Sequence, residues 1–264
     1  MSYTTIKYEK DGRIGRVTFC RPEIHNAFNS TVITEMSEVF ARIALDKDIR
    51  VVVLTGEGKS FCAGADLNWM RSVINQSFEE NLAESNALAD LFHEIYTLER
   101  PVVGKINGAA IGGGTGFVAV CDIAIAARSA KFSFSEVKIG VVPACIGPYV
   151  IKKMGEGKAR ELFITGERMN ADRAFQVGLV NKVVDDERLD DEVNALIHSI
   201  LTSGPEAVAM AKELVSEVPN MTSDKYIPYT AEMIAKLRIS DEGQEGMDAF
   251  LNKRRPKWVE DNKK

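Results

Sequence analysis

Histidine is scarce. The 264 residues contain three, at positions 25, 93 and 198. They are scattered, so no HExxH helix and no Ser-His-Asp ordering is present. Four cysteines (Cys20, Cys62, Cys121, Cys145) form no CxxC pair and no zinc spacing, and the expectation is reduced thiols and no metal. No basic excess exists either. Thirty-three Lys and Arg face 38 Asp and Glu, a net charge of -5, so nucleic acid is not the expected partner. No apolar run reaches the roughly 20 residues of a membrane helix; the longest, around 117–127, is broken by Asp122. The opening "MSYTTIKYEKDG" carries no targeting character, and the expected location is the cytoplasm.

Two phosphate-loop motifs fail on inspection. "TGEGKS" (55–60) has Val53 where a Walker loop needs its first glycine. The glycines at 112 and 114 would need a third at position 117, which is Phe117, so no dinucleotide fingerprint is present.

What is there is a chain 45% hydrophobic and 27% charged, long enough for one large domain with an appendage. Strand and helix signals alternate up to residue 185. "GRVTFC", "RVVVLTG", "PVVGKING", "DIAIAA" and "KFSFSE" read as strands. "STVITEMSEVFARIA" (30–44), with Ser30 as N-cap, and residues 78–99 read as helices, while 57–66 reads as loop. From residue 186 the strand signals stop and four helical segments follow, punctuated by Pro205, Pro219 and Pro256. The expected class is α/β over 1–185, with a helical region over 186–264. No repeat of fixed period is visible.

Two turns stand out. "FCAGADL" (61–67) and "GAAIGGGTG" (108–116) each follow a buried strand and precede a helix. Small residues leave backbone N–H groups uncovered, and a helix N-terminus carries partial positive charge. Two such turns on neighbouring strands can aim two N–H groups at one oxygen, which is the design of an oxyanion hole. Tight strand–helix packing is the competing explanation for the glycines. His25, in the loop "RPEIHNAFN", is a further candidate to line a site; His93 and His198 fall in helices as surface residues.

The segments "FCAGADLNWM", "NGAAIGGGTGFVAVCDIAIAA", "FSFSEVKIGVVPA", "TGERMNADRAFQVGLVNKVV" and "GMDAFLNKRRPKW" resemble, in order, the crotonase superfamily of enoyl-CoA hydratases and isomerases. The resemblance implies a crotonase (ClpP-like) spiral of ββα units. It also implies a C-terminal helical trimerisation region, with trimers often paired into hexamers. The ligand would be an acyl-CoA thioester, with no cofactor beyond the coenzyme A of the substrate. By the same resemblance, the backbone N–H groups of Ala65 and Gly113 form the oxyanion hole. Ala63, Ala65, Asp66, Leu67 and Asn68 line the CoA loop, Phe250 and Lys253 approach the CoA phosphates, and Glu136 is the acid/base.

The chain departs from the family at one point. Hydratases of the family usually carry two glutamates, and the first position is Gly116 here. A single Glu136 suits either a Δ3,Δ2-enoyl-CoA isomerase or a hydratase in which one carboxylate handles both water and proton. "GGGTG" and "SEVKIGVVPACIGPYV" are similar to the hydratase branch acting on branched, carboxylated enoyl-CoAs of the methylglutaconyl and γ-carboxygeranoyl type. "PACIGPYV" also replaces the "GGTQR" pattern of ordinary enoyl-CoA hydratases. Cys145, Tyr149 and Thr115 are candidates to hold water or a distal carboxylate. A non-catalytic acyl-CoA-binding or RNA-binding protein, a decarboxylase or a thioester hydrolase are the competing readings on the same fold.

Overall fold

The computed structural model describes residues 3–259. It opens with an antiparallel hairpin of β1 (Ile6–Asp11) and β2 (Ile14–Phe19), turned by Gly12 at φ +55°. α1 (Ser30–Leu45) follows. Its N-cap is Asn29, whose side chain accepts from the Val32 N–H, and not Ser30. Ser30 is the first helical residue, because the extended backbone that a cap requires falls one position earlier.

Three units of one design come next. Each has a strand, a second short strand and a helical segment. The first is β3 (Val51–Gly56), β4 (Ser60–Cys62) and α2 (Leu67–Val73), extended by α3 (Phe78–Thr97). The second is β5 (Val102–Ile106), β6 (Ala109–Ile111) and α4 (Gly113–Val120). The third is β7 (Ile123–Ala127), β8 (Lys131–Ser133), a 3-10 turn at Ser135–Ile139 and α5 (Gly147–Met154). The segment 57–66 therefore contains a strand as well as loop. The remaining elements are α6 (Glu156–Thr165), β9 (Arg168–Asn170), α7 (Ala171–Gln176), β10 (Lys182–Val184), α8 (Leu189–Leu201), α9 (Pro205–Glu217), α10 (Ser223–Ile239) and α11 (Asp241–Leu251).

The recurring ββα unit is present although no period is legible in the sequence. The units begin at Val51, Val102 and Ile123, because α3 lengthens only the first. The first strands of all three units enter one sheet, ordered β1-β2-β3-β5-β7-β10. Their second strands enter another, ordered β4-β6-β8-β9. Beyond the hairpin the large sheet is parallel and buried on both faces, so β3 carries the unbroken apolar run Val51–Leu54. β4, β6 and β8 are mutually parallel, and their C-terminal ends therefore lie along one edge of the small sheet.

The described residues divide into two compact units. One runs through Leu98 and from Val102 to Val193; the other takes Glu99–Pro101 and the chain from Asn194 onward. The core of the first is aromatic. Phe117, on α4, lies 5.0 Å from Phe19, 5.8 Å from Phe28 and 4.8 Å from Phe92, ring centre to ring centre. Each such pair adds roughly 0.5–1.5 kcal/mol beyond its buried area, so α4 is held firmly in place. The second unit is helical, with Met233 and Ala249 buried in it. No described helix is long and apolar enough to cross a membrane.

Candidate active site

Three loops leave the common edge of β4, β6 and β8. The first carries Ala65, the second Gly112 and Gly113, and the third Glu136. Backbone contact joins them. A Cβ added to Gly64 would sit 2.7 Å from the Ile111 carbonyl oxygen, and one added to Gly114 would overlap the carbonyl oxygen of Cys62. A Cβ on Gly113 would strike the Phe28 ring at 2.7 Å, and Phe28 itself forms a parallel bridge with Ala65. The glycines thus serve tight packing, and that packing brings the two turns side by side.

Both candidate donors follow a glycine in the left-handed half of φ space, Gly64 at +92° and Gly112 at +54°. Among the described residues, the N–H groups of Ala65 and Gly113 have no protein acceptor. Their neighbours are occupied: Ala63 N–H donates to the His25 carbonyl (3.0 Å), Asp66 N–H to Phe28 (2.8 Å) and Gly112 N–H to Ser133 (2.8 Å). Gly113 is also the first residue of α4, where the helix contributes partial positive charge.

Glu136 sits in the 3-10 turn that Gly140 closes in the left-handed conformation. A Cβ on Gly112 would lie 3.2 Å from Glu136 Oε1, so the carboxyl faces the N-terminus of α4. Its Oε2 is buried without a hydrogen-bond partner. Burial pushes the carboxyl above the usual carboxylate range, and a bond from its own N–H offsets this only in part. A half-buried carboxyl with one unpaired oxygen, beside two unpaired N–H groups, can exchange a proton with a molecule polarised by those donors.

The CoA-loop residues divide. The N–H groups of Ala63, Asp66 and Asn68 are spent within the protein, Asn68 on the Asp66 carboxylate that caps α2 (2.8 Å). Leu67, 69% exposed, and the exposed Asn68 side chain remain open to a ligand. Phe250 and Lys253 belong to the second unit, at the end of α11 and just beyond it. Phe250 is 83% exposed, and Lys253 adopts φ +52°.

Residues 9–262 match the family model described as enoyl-CoA hydratase/isomerase. The chain belongs to the enoyl-CoA hydratase/isomerase family. It is 35% identical to a protein of Dictyostelium discoideum named "Probable enoyl-CoA hydratase, mitochondrial", over 97% of this chain and 91% of that one. It is 33% identical to the "Short-chain-enoyl-CoA hydratase" of Clostridium acetobutylicum, with 97% of each covered. The crystal structure of an enoyl-CoA hydratase from Shewanella pealeana superposes with a TM-score of 0.94 at 36% identity, covering 97% of this chain and 96% of that one.

Position 116 is closely packed and has no room for a side chain beside its present neighbours. A Cβ at Gly116 would overlap Ile146 Cγ2 and lie 3.0 Å from Ile146 Cβ and 3.1 Å from Phe92 Cζ. Ile146 comes from "PACIGPYV" and is 2% exposed. Gly116 and the segment that supplies Ile146 are therefore two sides of one contact.

Thr115 does not hold water. It is fully buried, and its hydroxyl is committed to the carbonyls of Ala110 (2.6 Å) and Ser133 (3.0 Å). Cys145 donates to the Ser85 carbonyl at 3.7 Å, and the Tyr149 ring packs 5.0 Å from Tyr96. His25 is exposed at φ +56°. Its ring meets the Ser60 hydroxyl at 3.1 Å, while its carbonyl holds the Ala65 loop. His93 and His198 are exposed on α3 and α8. Sequence reasoning missed Ile146 and Phe92, whose contact with Gly116 spans some 30 residues and leaves no local pattern.

Proposed function

We propose that the chain is an enoyl-CoA hydratase that adds water reversibly across the 2,3 double bond of a 2-enoyl-CoA. The observation that carries this is the juxtaposition of two unpaired backbone donors, Ala65 and Gly113, with the raised, unpaired carboxyl of Glu136. The thioester oxygen accepts from both N–H groups. Glu136 removes a proton from water, and the hydroxide adds at C3. The double-bond electrons move onto the thioester oxygen as an enolate. Glu136 then returns the proton to C2, so both additions fall on one face. Each backbone donor contributes roughly 10²–10³ in rate.

The finer reading is a branched or carboxylated substrate of the methylglutaconyl type, supported by Gly116 and by the replacement segment that supplies Ile146. Leu67 and Asn68 are assigned to coenzyme A, as are Phe250 and Lys253 of a neighbouring subunit. The helical region is assigned to trimer contacts, within a homotrimer or homohexamer in the cytoplasm. A second reading, a Δ3,Δ2-enoyl-CoA isomerase, is favoured by the single carboxylate, which then carries a proton from C2 to C4.

Hydration of an acyl-CoA panel, with products identified by mass spectrometry, is followed beside conversion of a 3-enoyl-CoA. Glu136→Gln is expected to abolish hydration while CoA esters still bind. Near-normal hydration by that variant sinks the mechanism. Conversion of the 3-enoyl-CoA alone establishes the isomerase. Binding without turnover in either assay leaves a binding protein.

A further inference from the structure

Nothing in the reaction above explains the part-buried arginine beside the candidate oxyanion loop. Arg21 Nη1 donates to the Ala27 carbonyl at 2.6 Å, and Nη2 donates to Asp66 Oδ2 at 2.7 Å. The two side chains are 17% and 10% exposed. Ala27 precedes Phe28, and Asp66 follows Ala65. The fork therefore grips both segments of the Phe28–Ala65 bridge. That bridge consists of Phe28 N–H to Gly64 (2.8 Å) and Asp66 N–H to Phe28 (2.8 Å), with Ala65 between the two bonds.

Arg21 is itself anchored. Its N–H donates to Asn26 Oδ1 (2.9 Å), and the buried Asn26 amide donates to the Ser60 carbonyl (2.7 Å) at the start of β4. Asp66 is fixed from its other oxygen by the Asn68 N–H. Burial alone would push the Asp66 carboxyl up, but the Asn68 N–H and the Arg21 guanidinium outweigh it and hold the group below its ordinary value.

We infer that Arg21 is a positioning residue: through Asp66 and the Ala27 carbonyl it fixes the direction of the Ala65 N–H toward the thioester oxygen. The inference rests on the oxyanion reading given above. A planar two-point fork is needed, because both acceptors must be held at once. A lysine keeps the charge but offers a point donor.

The test compares wild type with Arg21→Lys, Arg21→Gln and Asp66→Asn; the last retains a capping oxygen for α2. Two ligands are used, butyryl-CoA and the S-butyl thioether of CoA, which lacks the carbonyl. Crotonyl-CoA hydration supplies kcat and KM. A displacement of about 1 Å at a reacting centre costs on the order of 10²-fold. Arg21→Lys and Asp66→Asn are each expected to lower kcat by about 10- to 100-fold. The preference for thioester over thioether is expected to fall by a similar factor, with thioether affinity unchanged. Arg21→Gln combined with Asp66→Asn is expected to do no more harm than either alone, since both break one link.

Equal loss of affinity for both ligands would show a merely structural role and overturn the inference. So would wild-type kcat and preference in Arg21→Lys and Asp66→Asn. If Arg21→Gln does not fold, those two variants decide. Absence of a thioester preference in wild type would refute the oxyanion reading itself, and this inference with it, which separates the two failures.

Discussion

Adding one methyl group at Gly116 tests how tightly Ile146 closes on position 116. In an exposed helix, Gly→Ala gains about 1 kcal/mol. Here the new Cβ would overlap Ile146 Cγ2 and stand 3.0 Å from Ile146 Cβ and 3.1 Å from Phe92 Cζ. Ordinary carbon contacts begin near 3.5 Å. Gly116, Phe92 and Ile146 are all buried, so none can swing into solvent. Overpacking of this kind costs about 1–3 kcal/mol, more where the neighbours cannot yield. The overlap is severe enough to place Gly116→Ala at a net loss of about 2 kcal/mol. Ile146→Ala alone opens a cavity and costs about 3 kcal/mol. In the double variant the methyl at 116 enters the space Ile146 leaves, so the total should stay near 3 rather than reach about 5 kcal/mol, a coupling of about 2. Ile146→Val is the control, because it removes only Cδ1 and keeps the offending Cγ2; it should not rescue. Urea unfolding of the set measures each term. Additivity within about 0.5 kcal/mol refutes the contact.

Glu136→Gln should stabilise the fold at neutral pH by about 1 kcal/mol, by relieving a buried unpaired carboxylate. The folded carboxyl is raised above its unfolded value. The penalty is therefore absent below the unfolded value of about 4.3 and complete once pH passes the folded value. The gain in melting temperature must vanish toward pH 4; a gain that persists there refutes the assignment. The same raised group should give hydration kcat/KM a single acid limb, displaced above the ordinary carboxylate range. Thr115→Val should cost about 1–2 kcal/mol of stability, because it strips a donor from the Ala110 and Ser133 carbonyls. Its kcat should stay within a few-fold; a loss beyond 100-fold in a stable protein would return Thr115 to the chemistry.

The large elements are legible in the sequence because each carries its own period. β3 and α1 are examples, one an unbroken β-branched run and the other a helix with six buried positions. The small sheet is not legible. β4, β6 and β8 have three residues each, too few for alternation to register, and β6 hides among glycines. The β1–β2 hairpin has a local signal too, since Gly12 and Arg13 form a two-residue loop with glycine first. Of the candidate site, the Gly/Ala turns announce exposed backbone, and Glu136 is singled out only by the family resemblance. The Arg21–Asp66 pair bridges 45 positions, and no local signal records such a contact. Thr115 misled because a hydroxyl in a Gly-rich turn looks available until the strand ends on either side of it are known.

The candidate site is built at the N-terminus of α4. Gly116 N–H donates to the carbonyl of Gly112, the non-helical N-cap of α4, at 3.3 Å. Glu136 packs at Gly112 and Ile146 at Gly116. Loss of solvent on burial raises the Glu136 carboxyl. A raised carboxyl of this kind is suited to accept and return a proton. The cost is carried by one buried, unpaired oxygen, which is why the reactivity and the stability of Glu136 must move in opposite senses under substitution.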